Sequence, residues 1–422
     1  MHHWLTDLNF FIFVLFFCCY FYQTVYIVVR LIKKMPVYKA DRLHRFAVVI
    51  AARNESLVLG ELIKSIRAQN YPKDKIDVYV VADNCTDDTA DVARAFKATV
   101  FERSDGKHVG KGYALDYALK HIHNMRGIGS YDGYFVFDAD NVLDENYVKE
   151  MNNVFGAGYR VVTSYRNSKN FGYNWISAGY GLWFLRESKY LNGARMICNT
   201  SCAISGTGFL VSSEILGRDG GWKYHLLTED IEFSVDKVLG REVIGYCEKA
   251  FIYDEQPVRF KSSWDQRMRW TKGFYQVIRR YGARLIKGCF TGRKFQCFDM
   301  FMTVAPAAMV SLALLFLNTG SIIYGCIFND HALSVLALGQ LGAAFVNFYA
   351  SLILFGAITL ISEWKNIYCS AKKKILYLFT FPLFMFTYVP ITIAALLQKR
   401  VEWSPIRHVF AENLSEIKDK AA

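Results

Sequence analysis

FAVVIAARNE, residues 46–55, runs seven apolar residues without a break and then turns polar at Arg53, Asn54 and Glu55. An unbroken apolar run of strand length reads as a strand buried on both faces, as in a parallel sheet covered by helices. The residues around it agree. SLVLGELIKSIRAQ (56–69) puts Leu59, Leu62, Ile63 and Ile66 on one helical face, and IDVYVVADN (76–84) is a second strand. TDDTADVARAFKA (86–98) is a helix with Thr86 as its expected N-cap and acids in its first turn. A short strand near Val100, a helix from about Lys111 to Met125 and the strand YFVFDAD (134–140) follow. Strands alternating with helices give an α/β fold with a mainly parallel sheet, in which ligands bind beyond the carboxyl ends of the strands. Polar residues gather there: Arg53, Asn54 and Glu55, then Asp83 and Asn84, then Asp138 and Asp140. No GxGxxG follows the first strand, which argues against a dinucleotide site.

Outward from this core the composition changes. The chain has 422 residues, 53% hydrophobic and 21% charged, which suits a water-facing domain joined to membrane spans. Residues 9–29, NFFIFVLFFCCYFYQTVYIVV, are long enough to cross a hydrocarbon core, and basic residues follow rather than precede them. Three more apolar stretches lie at about 300–328, 333–361 and 375–397. The expected organisation is an N-terminal span within 1–32, a catalytic domain over 40–260, an amphipathic interface helix over 261–295, spans over 298–398 and a tail over 399–422. The positive-inside rule puts the domain in the cytoplasm of a multi-pass plasma-membrane protein. It leaves a conflict of parity: three crossings after the domain would put the tail outside, next to Lys399 and Arg400. Either the tail breaks the rule or the stretch with Pro382 and Pro390 is re-entrant.

Net charge is +12, and eleven Lys/Arg against one acid lie between Arg259 and Lys294. That cluster and the one from Arg30 to Arg45 adjoin candidate spans, which favours a membrane surface over nucleic acid as the partner. Ten scattered cysteines with no CxxC pair read as reduced thiols.

Four short motifs carry the chemistry. In FDADN (137–141), Asp138 and Asp140 fall on one side of an extended backbone, where two hard oxygen ligands can hold Mg²⁺ or Mn²⁺ against a diphosphate. A turn in which Asp bonds its own backbone is the competing reading. LLTEDIEFS (226–234) offers Glu229 and Asp230 as carboxylates for acid–base work, or as the first turn of a helix capped by Thr228. Lys111 in GKGYAL opens a helix and can meet a phosphate or simply be solvated. WDQRMRWTKGF (264–274) begins a helix with Trp270, Phe274, Val277, Ile278, Tyr281 and Leu285 on one face. Arg269, Lys272, Arg279, Arg280, Arg284 and Lys287 flank that face, the pattern of a helix lying in an anionic leaflet.

Asp83, Asp138-Ala-Asp140, Thr228-Glu-Asp230 and Gln266-Arg-Met-Arg269-Trp270 occur in that order. The series resembles the D, DxD, TED and QxxRW motifs of membrane-embedded family-two processive glycosyltransferases, such as cellulose, chitin, hyaluronan and poly-N-acetylglucosamine synthases. The resemblance covers about residues 40–290. It implies a GT-A-like nucleotide-sugar domain, mixed but mainly parallel, with transmembrane and interfacial helices. By the same resemblance Glu55 and Asp83 hold uridine, Lys111 and Arg269 approach the diphosphate, and Asp138 and Asp140 form the site for Mg²⁺ or Mn²⁺. Asp230 becomes the general base, while Gln266, Trp270 and Glu229 meet the acceptor. SGTGF (205–209) is a looser match to an acceptor-side loop. The implied activity is inverting, processive transfer from a UDP-sugar of the glucose or N-acetylglucosamine class onto a growing glycan, with transfer to a lipid acceptor as the alternative. One span before the domain is fewer than in hyaluronan and cellulose synthases, so a partner subunit or a homo-oligomer is expected to complete a polymer channel.

Overall fold

The computed structural model describes residues 2–127, 129–292, 294–398 and 408–420. After α1 (His3–Ile32), β1 (Phe46–Ala52), α2 (Leu59–Arg67), β2 (Ile76–Asp83), α3 (Thr89–Ala95), β3 (Thr99–Arg103), α4 (Lys111–Arg126) and β4 (Gly133–Asp138) alternate as expected. Then come β5 (Val142–Leu143), α5 (Tyr147–Gly156), β6 (Val161–Ser168), α6 (Trp175–Arg186), a π-helical turn (Glu187–Asn192) and α7 (Gly193–Ile197). The domain closes with β7 (Phe209–Ser212), α8 (Ser213–Asp219), α9 (Glu229–Leu239) and β8 (Ile244–Asp254). The remainder is helical: α10 (Phe260–Phe290), α11 (Lys294–Val304), α12 (Pro306–Ile327), α13 (His331–Ser362), α14 (Ala371–Phe386), α15 (Tyr388–Leu397) and α16 (Leu414–Asp419).

The strands form one sheet in the order β3-β2-β1-β4-β7-β6-β8-β5. β1 pairs parallel with β2 and β4 along most of its length and is buried almost throughout, as its apolar run requires. β7 is antiparallel to both neighbours, so the sheet is mixed while its first four strands remain parallel. This order brings the carboxyl ends of β1, β2 and β4 to one edge of the domain.

The turns after β1 and β2 place Asn54 and Asn84 in the left-handed region, at φ 58° and 53°, a conformation asparagine accepts better than most side chains. They also correct one expectation. Thr86 does not cap α3: its amide donates to Asn54 Oδ1 at 2.8 Å, tying the two turns together. The helix starts at Thr89, whose amide donates to Asp87 at 3.1 Å. Gly112 allows α4 to approach residues 222–225, because a Cβ there would run into the Tyr224 carbonyl.

Among the described residues, four helical segments are long and apolar enough to cross a membrane: His3–Ile32, Val310–Ile327, His331–Ser362 and Ala371–Leu397. Within the first two, Asn9 and Asn318 exchange side-chain hydrogen bonds of 3.1 and 2.7 Å. Such a pair is worth about 1 kcal/mol in lipid and fixes the rotation of α1 against α12. Further along, Tyr22 and Tyr26 donate to Asp299 at 3.0 and 2.7 Å, and buried Arg195 clamps the same carboxylate through Nε and Nη2. The α/β domain is therefore bolted to α1.

The long helix α10 departs from the expected pattern. Val277, Tyr281 and Leu285 are buried against Ile231, Val235 and Val238 of α9 and Cys297, Met300 and Val304 of α11. The face expected to lie in the leaflet thus packs on protein, while Arg279, Arg280, Arg284 and Lys287 stay exposed. The amphipathic pattern was correct, but its apolar side found the domain rather than lipid.

α14 and α15 break at Thr387. Pro390 explains the break, since it has no N–H for the Phe386 carbonyl four residues back and its ring crowds that carbonyl. Both ends of this segment meet the domain side: Lys373 donates to Gly172 O at 2.9 Å, and Lys272 of α10 donates to Ala395 O and Gln398 O at 3.1 and 2.6 Å.

Candidate active site

At the end of β2, Asp83 is paired with Arg103, its register partner at the end of β3, at 2.5 Å, and both side chains are buried. Sequence reading found the aspartate and missed the arginine; a basic residue closing the neighbouring strand was the available signal. Glu55 follows β1, its amide held by Thr89 Oγ1 at 2.8 Å. Burial pushes its carboxyl up to about 8, with the Asp140, Asp138 and Glu255 charges adding to the rise and His408 opposing it. Glu55 is thus close enough to feel both members of the DAD motif.

The DAD motif itself differs from expectation. β4 ends at Asp138 and the chain turns, with Asn141 N–H donating to the Asp138 carbonyl at 3.1 Å. The alternation that was to put both carboxylates on one side therefore does not extend to Asp140. Asp138 takes the Lys111 ammonium at 2.5 Å. Asp140 accepts from the Glu255 amide, beyond the end of β8, at 2.8 Å.

The loop 205–208 joins the two halves of the site. Lys111, opening α4, donates to Asp138 and also to Gly206 O at 2.8 Å. Gly206 N–H donates to Asp230 Oδ2 at 2.6 Å. Thr207 Oγ1 accepts from Asp138 N–H at 2.8 Å and bonds Asn141 at 2.5 Å. Glu229 and Asp230 open α9 after Thr228, which occupies the cap position without a capping hydrogen bond from its side chain. Burial raises both carboxyls above the ordinary range; for Glu229 the Asp230 charge adds to the rise, and Lys111 counters it for each. The SGTGF loop, a loose match in sequence, is the hub of the geometry.

From α10, Trp270 enters an aromatic cluster, edge-on to Tyr180 and Phe184 at 5.8 and 6.2 Å. Gln266 Oε1 is buried with no hydrogen-bond partner among the described residues, and the Arg269 charge is felt by Glu229. Arg269 is thus on the side of the site where Glu229 and Asp230 stand. Between Gln266 and Arg269, Arg267 is fully buried, donating to Phe384 O at 3.2 Å and Thr387 Oγ1 at 2.5 Å, where it pins the α14–α15 break.

The tail supplies an element that no motif announced. His408 sits 3.6 Å from Glu55, 3.9 Å from Asp140 and 3.6 Å from Glu255. Although burial alone would lower it, these carboxylates lift its imidazole to about 10. The amides of Val409 and Phe410 donate to Glu255, each at 3.0 Å at the shorter oxygen. Ile417 of α16 is fully buried against Val142 and Tyr253. The site is thus a cleft rich in carboxylates at the strand ends, with Lys111 and His408 as cations inside it, a candidate base across from them and an aromatic wall.

A family model described as "Glycosyltransferase like family 2" matches residues 44–273. The chain is 26% identical over 281 residues to the probable glycosyltransferase YdaM of Bacillus subtilis (strain 168), covering 61% of each protein. It is 25% identical over 234 residues to the beta-monoglucosyldiacylglycerol synthase of Synechocystis sp. (strain ATCC 27184 / PCC 6803 / Kazusa), covering 54% of this chain and 47% of that one. To the poly-beta-1,6-N-acetyl-D-glucosamine synthase of Staphylococcus epidermidis it is 25% identical over 312 residues, 71% of each. The chain thus spans between about half and about seven-tenths of the length of these relatives. Among solved structures, the mannosyltransferase PcManGT from Pyrobaculum calidifontis, in complex with GDP-Man and Mn²⁺, superposes with a TM-score of 0.53 at 18% identity. The match covers 94% of this chain and 98% of that one. That likeness is one of fold, and the fold is GT-A-like.

Proposed function

This chain belongs to glycosyltransferase-like family 2, and from that premise we propose that it is an inverting, processive β-glycosyltransferase. It polymerises a UDP-sugar of the glucose or N-acetylglucosamine class and passes the glycan across the plasma membrane from a cytoplasmic domain. The observation that carries this reading is the loop at Gly206, which links Lys111 and Asp138 on one side to Asp230 on the other. An inverting transferase must hold a leaving group and an attacking hydroxyl on opposite sides of one carbon, and this loop joins two groups of residues suited to those tasks.

Glu55 and Asp83 hold the uridine, with Arg103 fixing Asp83. Lys111 and Arg269 stabilise the negative charge that grows on the departing diphosphate. Asp138 and Asp140 are suited to a divalent ion: they offer hard oxygens, and neighbouring Glu55 and Glu255 make the cleft strongly acidic. Among the described residues no three His, Cys, Asp or Glu side chains converge as a closed metal cage. An ion there would be held by one or two carboxylates. Mg²⁺ or Mn²⁺, if held by Asp138 and Asp140, would supply positive charge against the leaving nucleotide. Asp230 takes the proton of the acceptor hydroxyl, and a single base suffices for one inverting displacement. Trp270 presents an apolar face to the acceptor sugar, with Gln266 and Glu229 beside it.

A second reading, single transfer to a lipid acceptor such as diacylglycerol, is favoured by the likeness to the monoglucosyldiacylglycerol synthase. Membranes containing the protein, given labelled UDP-sugars, separate the two. Label in material of high mass supports polymerisation, aided by a partner subunit or a second copy; label confined to a lipid extract overturns it.

A further inference from the structure

Gly206 has φ +80°, in the left-handed region, so the direction of its amide is set by a turn rather than by a strand or helix. Its neighbour Ser205 is gripped from two sides: the carbonyl accepts from Arg166 Nη1 at 2.9 Å, and the hydroxyl donates to Glu187 at 3.2 Å. Arg166, on β6, is itself held firmly. Its Nε and Nη2 lie 2.7 and 2.5 Å from Asp254 Oδ2, and its guanidinium stacks 3.6 Å over the Phe184 ring. A rigid guanidinium with one fork on a carboxylate and the remaining edge on a single carbonyl is a fixed post. That carbonyl shares its peptide plane with the Gly206 amide that contacts Asp230, and the Gly206 carbonyl that accepts from Lys111 is the next one along.

We infer that Arg166 is a positioning residue for the base: it fixes the Ser205 carbonyl so that the Gly206 amide meets Asp230 and the Gly206 carbonyl meets Lys111. The inference rests on the reading of Asp230 as base. An amide donating to a carboxylate favours its ionised form, and Asp230 needs this help because burial opposes its ionisation. The charged groups facing Asp230 and its neighbour are Lys111 from α4, Glu187 from the π-helical turn and Arg269 from α10, with Glu229 adjacent. Lys111 and the Gly206 amide both favour the charged base. If Arg166 releases the loop, the amide contact is lost and the Lys111 contact loosens.

The test is Arg166→Lys in the full-length, membrane-inserted protein. Lysine keeps a charge opposite Asp254 but cannot reach Asp254 and Ser205 together. The expected result is a fall in kcat of about 10- to 100-fold, the scale of a small misplacement at a reacting centre. The KM for UDP-sugar should stay within about twofold, and the acidic limb of kcat should move to higher pH. Gly206→Ala approaches the same contact without touching Asp254; the nearest atoms to a Cβ there are 4.0 Å away, so the strain lies in the turn alone. It should give the same signature, and it decides the matter if Arg166→Lys does not fold. A normal kcat, or an acidic limb that does not move, in a folded variant overturns the inference. Asp230→Asn keeps the two readings apart. If it is inactive while both loop variants are normal, only the role of Arg166 is lost; if it is fully active, the base assignment goes and the inference with it.

Discussion

Asp230, the second residue of α9, is half-buried beside a second carboxylate, and its pKa is raised chiefly by loss of solvation. Transfer should therefore fade with falling pH from a point above the ordinary aspartate range, because a base must be ionised to act. Asp230→Asn should retain UDP binding and lose transfer by about 10²- to 10⁴-fold. It should also gain stability at neutral pH. A carboxyl whose pKa is raised by folding stabilises the fold while protonated, and that contribution is lost as pH rises through its raised value. A thermal melt at pH 7 that places the Asn variant below the parent contradicts this account. Asp140→Ala should weaken metal-dependent UDP binding, and chelation should abolish activity that Mg²⁺ or Mn²⁺ restores; full turnover in excess EDTA would leave the DAD motif a mere turn. The placement of Asp83, Asp138 and Asp230 was legible because each lies at the end of a strand or the start of a helix recognisable from local pattern. Arg103, Arg166, Glu255 and His408 were not, because their roles depend on partners brought together by strand order. Arg166 meets Asp254, 88 residues away, only because β6 pairs with β8.

At the scale of the element, α10 shows what periodicity can and cannot say. The spacing from Trp270 to Leu285 correctly indicated a helix with one apolar face, and the flanking arginines correctly marked the exposed side. Periodicity does not identify what covers an apolar face. Here α9 and α11 cover it, so Leu285→Ala should cost about 2–5 kcal/mol of stability, the usual cost of a truncated core leucine. A lipid-facing leucine would cost far less, and denaturation of the detergent-solubilised protein distinguishes the two. Trp270→Ala belongs to the other end of the helix. It opens the cluster with Tyr180 and Phe184 but leaves the nucleotide contacts untouched. Elongation should fail while UDP binding and membrane fractionation survive, whereas Arg284→Ala, exposed on the outer face, should be mild. Equal turnover per folded molecule in both variants would deny Trp270 an acceptor role.

Across the whole molecule, the contacts at the ends of the helices bear on the conflict of parity that charge counting left open. His2, before α1, lies 3.0 Å from Asp330 in the turn between α12 and α13, so these two points share one end of the bundle. At its other end, α1 meets Asp299 beside the catalytic domain through Tyr22 and Tyr26. The loop between α13 and α14 also returns to the domain, with Tyr165 donating to the buried carboxylate of Glu363 and Lys189 pairing with it at 2.8 Å. Three helices thus run between the same two ends, while α14–α15 begins and finishes against the domain, bent at Thr387 with Arg267 at the bend. A buried arginine at the midpoint of a true span is costly in lipid; beside the domain Arg267 has the Phe384 carbonyl and the Thr387 hydroxyl as acceptors, with Nη2 left without a partner among the described residues. Three crossings are therefore the expected topology, which would keep Arg30, Lys372, Lys373, Lys374 and residues 408–420 on the domain's side, as the positive-inside rule asks. Thiol labelling tests this in a cysteine-free background, using Asn329→Cys in the α12–α13 turn and Ser415→Cys in α16, both exposed. An impermeant reagent should modify Cys at 329 in intact cells and Cys at 415 only in inverted vesicles. Ile417→Asp, which puts a charge between Val142 and Tyr253, should free the tail for proteolysis in those vesicles while leaving the turn at 329 unchanged. Labelling of the 415 position in intact cells would mean that α14–α15 crosses after all, and that the docking of His408 beside Glu55 is not the arrangement in the membrane.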